Sequence, residues 1–112
     1  MAASYLQSSM DKISEARDPK LIELCINPDG TLWAEFQGDH FMRRVSRQRS
    51  QNEIKDLGNQ IASAANTTLS RTKPIVSVSI SYRDRPIRAQ VIQPPAVDGG
   101  YAISLRFFAD LP

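Results

Sequence analysis

The stretch "IRAQVIQPP", residues 87–95, decides how the second half of the chain folds. Ile87, Ala89 and Val91 alternate with Arg88 and Gln90, the period of two that puts successive side chains on opposite faces of a strand. Two prolines then end it, because proline has no N–H to give a ladder. The segment before it, "IVSVSIS" (75–81), sets Val76, Val78 and Ile80 against Ser77 and Ser79. The segment after it, "YAISLRFF" (101–108), sets Tyr101, Ile103, Leu105 and Phe107 against Ala102, Ser104 and Arg106. All three strands therefore share an apolar face and a small-or-polar face, and they read as an antiparallel meander.

Closing the hairpin "PPAVDGG" symmetrically about Val97 puts Arg88 opposite Arg106 and Gln90 opposite Ser104. Ile87 then meets Phe107, and Ala89 meets Leu105. The same construction at the preceding turn sets Ser79 beside Arg88 and Ser77 beside Gln90. The seven-residue loop leaves other registers open. Two guanidinium groups facing each other repel by up to about 1 kcal/mol. An anion between them would turn that repulsion to use, since arginine presents a planar fork suited to phosphate or carboxylate. Ser77, Ser79, Gln90 and Ser104 would line the same face. The alternative is that both arginines simply solvate the outside of an exposed sheet.

Upstream, Leu6, Met10 and Ile13 recur at helical spacing and predict an amphipathic helix over 4–17, stopped at Asp18-Pro19. "LIELCI" reads as a strand with Ile22, Leu24 and Ile26 inward, followed by the turn "NPDG". "TLWAEF" returns with Leu32, Ala34 and Phe36 inward, and "HFMRRV" supplies a third strand. Trp33, on the opposite face, is either exposed or buried against another subunit. Ser50 and Glu53 form a capping-box pattern, and Ile54, Leu57, Ile61, Ala62, Ala65 and Leu69 hold one face of a central helix. The expected fold is α+β with the order α-βββ-α-βββ: two three-stranded antiparallel meanders, an N-terminal helix, and a central helix packed on the sheet.

The 112 residues make one domain, 1–112, with 41% hydrophobic and 23% charged residues, a soluble globular composition. A net charge of +2 gives no case for nucleic acid as a partner. A single cysteine, Cys25, rules out an intrachain disulfide and points to a reducing compartment. No apolar run approaches the ~20 residues of a membrane span, and the N-terminus lacks a secretion signal. A cytoplasmic location is expected, with peripheral membrane contact left open. Cys25 reads as a small packed thiol and His40 as a turn residue, and no spacing suggests a metal. "RRVSRQR" (43–49) holds Arg43, Arg44, Arg47 and Arg49, either a basic patch or a solvated strand end and loop.

Four motifs in order resemble the N-terminal domain of the hexameric traffic ATPases of type IV secretion and conjugation. They are Glu23, Ile26, Asn27, Gly30, Trp33 and Glu35; the run Lys73-Pro74-Ile75-Val76-Ser77-Val78; Arg88, Gln90, Pro94 and Pro95; and Ser104-Leu105-Arg106. The proline of "NPDG" stands one place earlier than in many relatives. The resemblance implies a domain that forms one ring of a homohexamer in a machine for substrate transport or pilus assembly, working with other secretion-system components. It implies that ATP and Mg²⁺ lie between this domain and a RecA-like C-terminal domain, with Arg88 and Arg106 reaching the phosphates. No G-x-x-x-x-G-K-[ST] loop occurs in these residues, so the phosphate cradle is expected from elsewhere in a longer parent, and this chain alone is expected to be inactive. A second function class is a free-standing basic module that docks nucleic acid or a protein through 43–49 and 83–88.

Overall fold

The computed structural model describes residues 2–45, 47–70, 72–94 and 99–108. Helix α1 (Ala2–Asp11) and a 3₁₀ turn (Ser14–Arg17) precede strands β1 (Leu21–Ile26), β2 (Leu32–Phe36) and β3 (Arg43–Val45). Helix α2 (Gln51–Ala64) follows, then β4 (Ile75–Tyr82), β5 (Arg85–Ile92) and β6 (Ala102–Phe107). The two expected meanders join through β1 and β6 into a single antiparallel sheet of order β3-β2-β1-β6-β5-β4. Its apolar face packs with Leu6, Met10, Ile54, Leu57 and Ile61 of the helices in one core. The opposite face carries the polar side chains that alternate with the core residues of β1, β4, β5 and β6, while Arg43 and Arg85 lie on the core side over Phe36 and Phe107. The expected α+β architecture is the one observed.

Several elements differ locally from the sequence reading. The N-terminal helix stops at Asp11 instead of running to 17. Ile13 is extended (φ −101°, ψ 100°), and a 3₁₀ turn follows. This break lets both Ile13 and Ala16 reach the core. Asp18, before Pro19, is extended as that proline requires. In β1 the strict alternation fails: Leu21 pairs with Phe36 but Glu23 with Glu35, a bulge that turns Leu21 inward and leaves Ile22 half-buried. The third strand is confined to Arg43–Val45, with Phe41 outside it and exposed.

The "NPDG" turn is built from its own side chains. The Asp29 carboxylate accepts from the Thr31 N–H at 2.9 Å and the Thr31 hydroxyl at 2.6 Å, while Trp33 Nε1 donates to Thr31 Oγ1 at 3.0 Å. Gly30 has φ +89° and its carbonyl accepts from the Arg49 N–H at 2.8 Å; a Cβ there would lie 2.0 Å from the Arg49 carbonyl oxygen. Only glycine meets both demands.

Helix α2 starts with the expected capping box, Ser50 Oγ accepting from the Glu53 N–H and Glu53 Oε1 from the Ser50 N–H. It ends earlier than its apolar pattern. Asn66 takes φ 59°, and the Thr67 and Asn66 N–H groups donate back to Ala62 and Ser63, the Schellman arrangement. Ala65 is thus the C-cap, and Leu69 returns to the core edge from the loop. Gly58 lets the helix sit close, since a Cβ there would lie 2.9 Å from Val91 Cγ1.

Glu53 also accepts from Arg47 at both oxygens, at 3.2 and 2.8 Å. Those bonds first, and the Ser50 N–H second, lower its pKa from 4.5 to about 2. A depressed carboxylate contributes stability above its unfolded pKa and loses it as pH falls through the folded one. Part of the melting-temperature loss between pH 4.5 and about 2 is therefore expected to come from Glu53. The loss is trimmed by solvent screening, because this pair is largely exposed. Melting curves of Glu53→Gln across that window should be flatter than those of the parent chain; parallel curves would assign the acid sensitivity elsewhere.

Candidate anion-binding face

The register expected for the second meander holds at every position. Arg88 pairs with Arg106, Gln90 with Ser104, Ile87 with Phe107 and Ala89 with Leu105. Ser79 pairs with Arg88 and Ser77 with Gln90. The loop pivot Val97, and Pro95 of the third motif, lie outside the described residues. A two-residue turn at Arg83 and Asp84, both with positive φ, fixes the β4–β5 half.

The junction of β1 with β6 extends these rows across the sheet. One row runs Ser79–Arg88–Arg106–Glu23–Glu35, and the next runs Ser77–Gln90–Ser104–Cys25–Trp33–Arg44. At their centre lies a shallow basin of ≈ 390 Å³ lined by Glu23, Ser77, Arg88, Ala89, Gln90, Ser104 and Arg106. Ser79 stands beside Arg88 without forming part of the basin wall. The structure thus brings Arg88, Arg106, Ser77, Gln90 and Ser104 together, as the alternation implied.

Two residues of the site come from the other meander. Glu23 Oε1 accepts from Arg106 Nη2 at 3.4 Å. Cys25, expected to be a small packed thiol, is half-buried on this outer face. Its thiol donates to Glu23 Oε2 at 3.5 Å and lies 3.9 Å from Ser104 Oγ. Burial pushes the Cys25 pKa up, and the Glu23 charge adds to that rise, so the group is a neutral thiol rather than a nucleophilic thiolate. The alternation of "LIELCI" carried the signal that Glu23 and Cys25 point away from the core. Nothing local said that β1 would lie against β6.

Most of the described arginines outside the basin make contacts within the fold. Arg43 lies 3.7 Å from Asp39 and over the Phe36 ring at 4.9 Å. Arg47 holds Glu53, and Arg49 is buried, donating to the Lys12 carbonyl at 3.2 Å and to the Arg47 carbonyl. Arg44 is on the sheet face opposite Trp33. In 83–88, Arg83 pairs with Asp11 at 3.1 Å. Arg85 donates to the Asp18 and Leu21 carbonyls at 3.1 and 2.7 Å and covers the Phe107 ring. Among the described residues no carboxylate lies within ion-pair distance of Arg88. Trp33 is half-buried with its N–H satisfied, and His40 is exposed in a bend.

Among the described residues, no group of three or more His, Cys, Asp and Glu could hold a metal ion, and no helix is long and apolar enough to cross a membrane. No protein-family model matches the chain, and no curated protein matches it by sequence. Among solved structures it is similar to the VirB11 ATPase from the Brucella suis type IV secretion system, crystallised in complex with sulphate. The TM-score is 0.74 at 18% identity, over 100% of this chain and 33% of that one. The fold is that of part of a type IV secretion ATPase. The chain spans about a third of the length of that VirB11 ATPase, and at this identity the likeness is one of architecture.

Proposed function

We propose that this chain is the N-terminal domain of a type IV secretion traffic ATPase, and that its open sheet face supplies arginines to nucleotide phosphates. The observation that carries the reading is the cross-strand pair Arg88–Arg106, exposed in one basin with Ser77, Gln90 and Ser104. Arginine forks match the non-bridging oxygens of a phosphate. Held on adjacent strands of a rigid sheet, the two groups need little reorganisation when charge develops on a transferring phosphoryl group. The serines and Gln90 offer neutral donors, and their small size leaves the basin open. The likeness in fold to the VirB11 ATPase supports the same reading, as does that protein's crystallisation with an anion shaped like phosphate.

In this reading the phosphate cradle and the Mg²⁺ ligands belong to a RecA-like domain of the parent protein. ATP is held between the two domains. Copies of this domain stand side by side in a homohexameric ring, in the cytoplasm at the membrane surface. The alternative of a free-standing basic module loses support, because Arg43, Arg47, Arg49, Arg83 and Arg85 are all engaged within the fold.

The test is ATP turnover by this domain joined to its RecA-like partner. Arg88→Ala and Arg106→Ala are each expected to lower turnover about 10²-fold, the usual cost of removing one preorganised charge donor. Unchanged turnover in both variants, with oligonucleotide binding lost when residues 43–49 are neutralised, would favour the basic module instead.

A further inference from the structure

Within the basin the two arginines are not equivalent. Arg106 stands between a like charge, Arg88, and an opposite one, Glu23, each its direct cross-strand partner. It reaches Glu23 Oε1 at 3.4 Å, while its own side chain stays 64% exposed and that of Glu23 only 24%. Glu23 is held from its other end as well, its Oε2 accepting from the Cys25 thiol at 3.5 Å. Among the described residues Arg88 has no such partner. Two guanidinium groups and one carboxylate leave the basin a formal charge of +1, with that charge concentrated on the Arg88 side.

We infer that Glu23 is the resident counter-ion of Arg106, and that a phosphate ligand bridging the two arginines takes its place. The inference rests on the phosphate reading of the basin and names what regulates it. A ligand that spans both guanidinium groups must compete with Glu23 for Arg106. The less exposed, doubly held carboxylate stays where it is, and the long, exposed Arg106 side chain is the mobile partner. Once Arg106 turns to the ligand, Glu23 still receives the Cys25 thiol, which burial keeps protonated, so the carboxylate that Arg106 leaves is not without a donor. Glu23 therefore acts as a positioning residue: it holds Arg106 in place and keeps the two arginines apart in charge while the basin has no ligand. It also lowers affinity, so that weakly held anions do not bridge the pair.

The test is calorimetric titration of this chain with pyrophosphate at low salt, comparing the parent with Glu23→Gln, Arg106→Ala, the Glu23→Gln/Arg106→Ala double variant and Arg88→Ala. Exposed ion pairs of this kind carry modest energies, so Glu23→Gln is expected to bind about two- to fivefold more tightly. The gain should vanish in the Arg106→Ala background and fade as salt rises, neither of which a loss of fold would produce. Glu23→Ala should move affinity the same way, with melting curves confirming that both variants are folded. If Glu23→Gln binds as the parent does while Arg88→Ala binds more weakly, the counter-ion role is overturned and the phosphate site stands. If none of the arginine or glutamate variants changes binding, both fall.

Discussion

Leu105→Ala is expected to remove about 3–5 kcal/mol of stability. Leu105 is fully buried and pairs with Leu24 on one side and Ala89 on the other. Leu24 in turn pairs with Ala34. The inner face at the β1–β6 junction is therefore two leucines flanked by two alanines. Small neighbours cannot swing into the space that Leu105 leaves, so the cavity persists and the cost falls at the upper end of the leucine-to-alanine range. The junction is also where the N-terminal and C-terminal meanders become one sheet. A domain of this size has only about 5–15 kcal/mol in total, so the variant should melt at least 10 °C lower. Urea unfolding of the two chains measures the difference. A loss below about 1 kcal/mol would mean that the halves are held together elsewhere.

The second large effect concerns binding, and its sign separates a functional pair from a structural one. Removing both Arg88 and Arg106 should weaken phosphate binding by about 10²-fold or more, since each charge-assisted contact is worth roughly 1.5–3 kcal/mol. The same change should leave the fold as stable as before. Arg88→Ala alone should be neutral or slightly stabilising, because it relieves a like-charge cross-strand pair and breaks no ion pair. Arg106→Ala gives up the Glu23 contact and the Arg88 repulsion together, so its stability change should be near zero. Residues present only to hold the sheet would show the reverse, losing stability and sparing binding. Pyrophosphate titration and urea unfolding of the same three variants give both readings.

The arginine pair was legible because it depends on short-range facts alone. Alternation sets the faces of β4, β5 and β6, and symmetric closure of two hairpins sets their register. The other half of the site was not legible for a physical reason. Glu23 and Cys25 meet Arg106 and Ser104 through a strand pairing between residues far apart in sequence, Cys25 and Ser104 being 79 positions from each other. Period-two patterning states which way a side chain points, never which strand will lie beside it. The same limit explains the arginines of 43–49. Their clustering is visible in sequence, while their partners Asp39, Glu53 and the Lys12 carbonyl are set by turns and caps that fold the stretch back on itself. Local breaks were missed for a third reason. The bulge after Leu21, the extended Ile13 and the early end of α2 at Asn66 each cost regular hydrogen bonds locally and are repaid by burial of Leu21, Ile13 and Leu69 against the core.

The central claim is that one anionic ligand sits between Arg88 and Arg106 on the open face of the sheet. Amide NMR of the isotope-labelled chain, titrated with pyrophosphate at low salt, tests it most directly. The account predicts saturable shifts centred on residues 23, 77, 88–90 and 104–106, absent in the doubly substituted chain. Shifts centred elsewhere on the chain, or none at all, would contradict it.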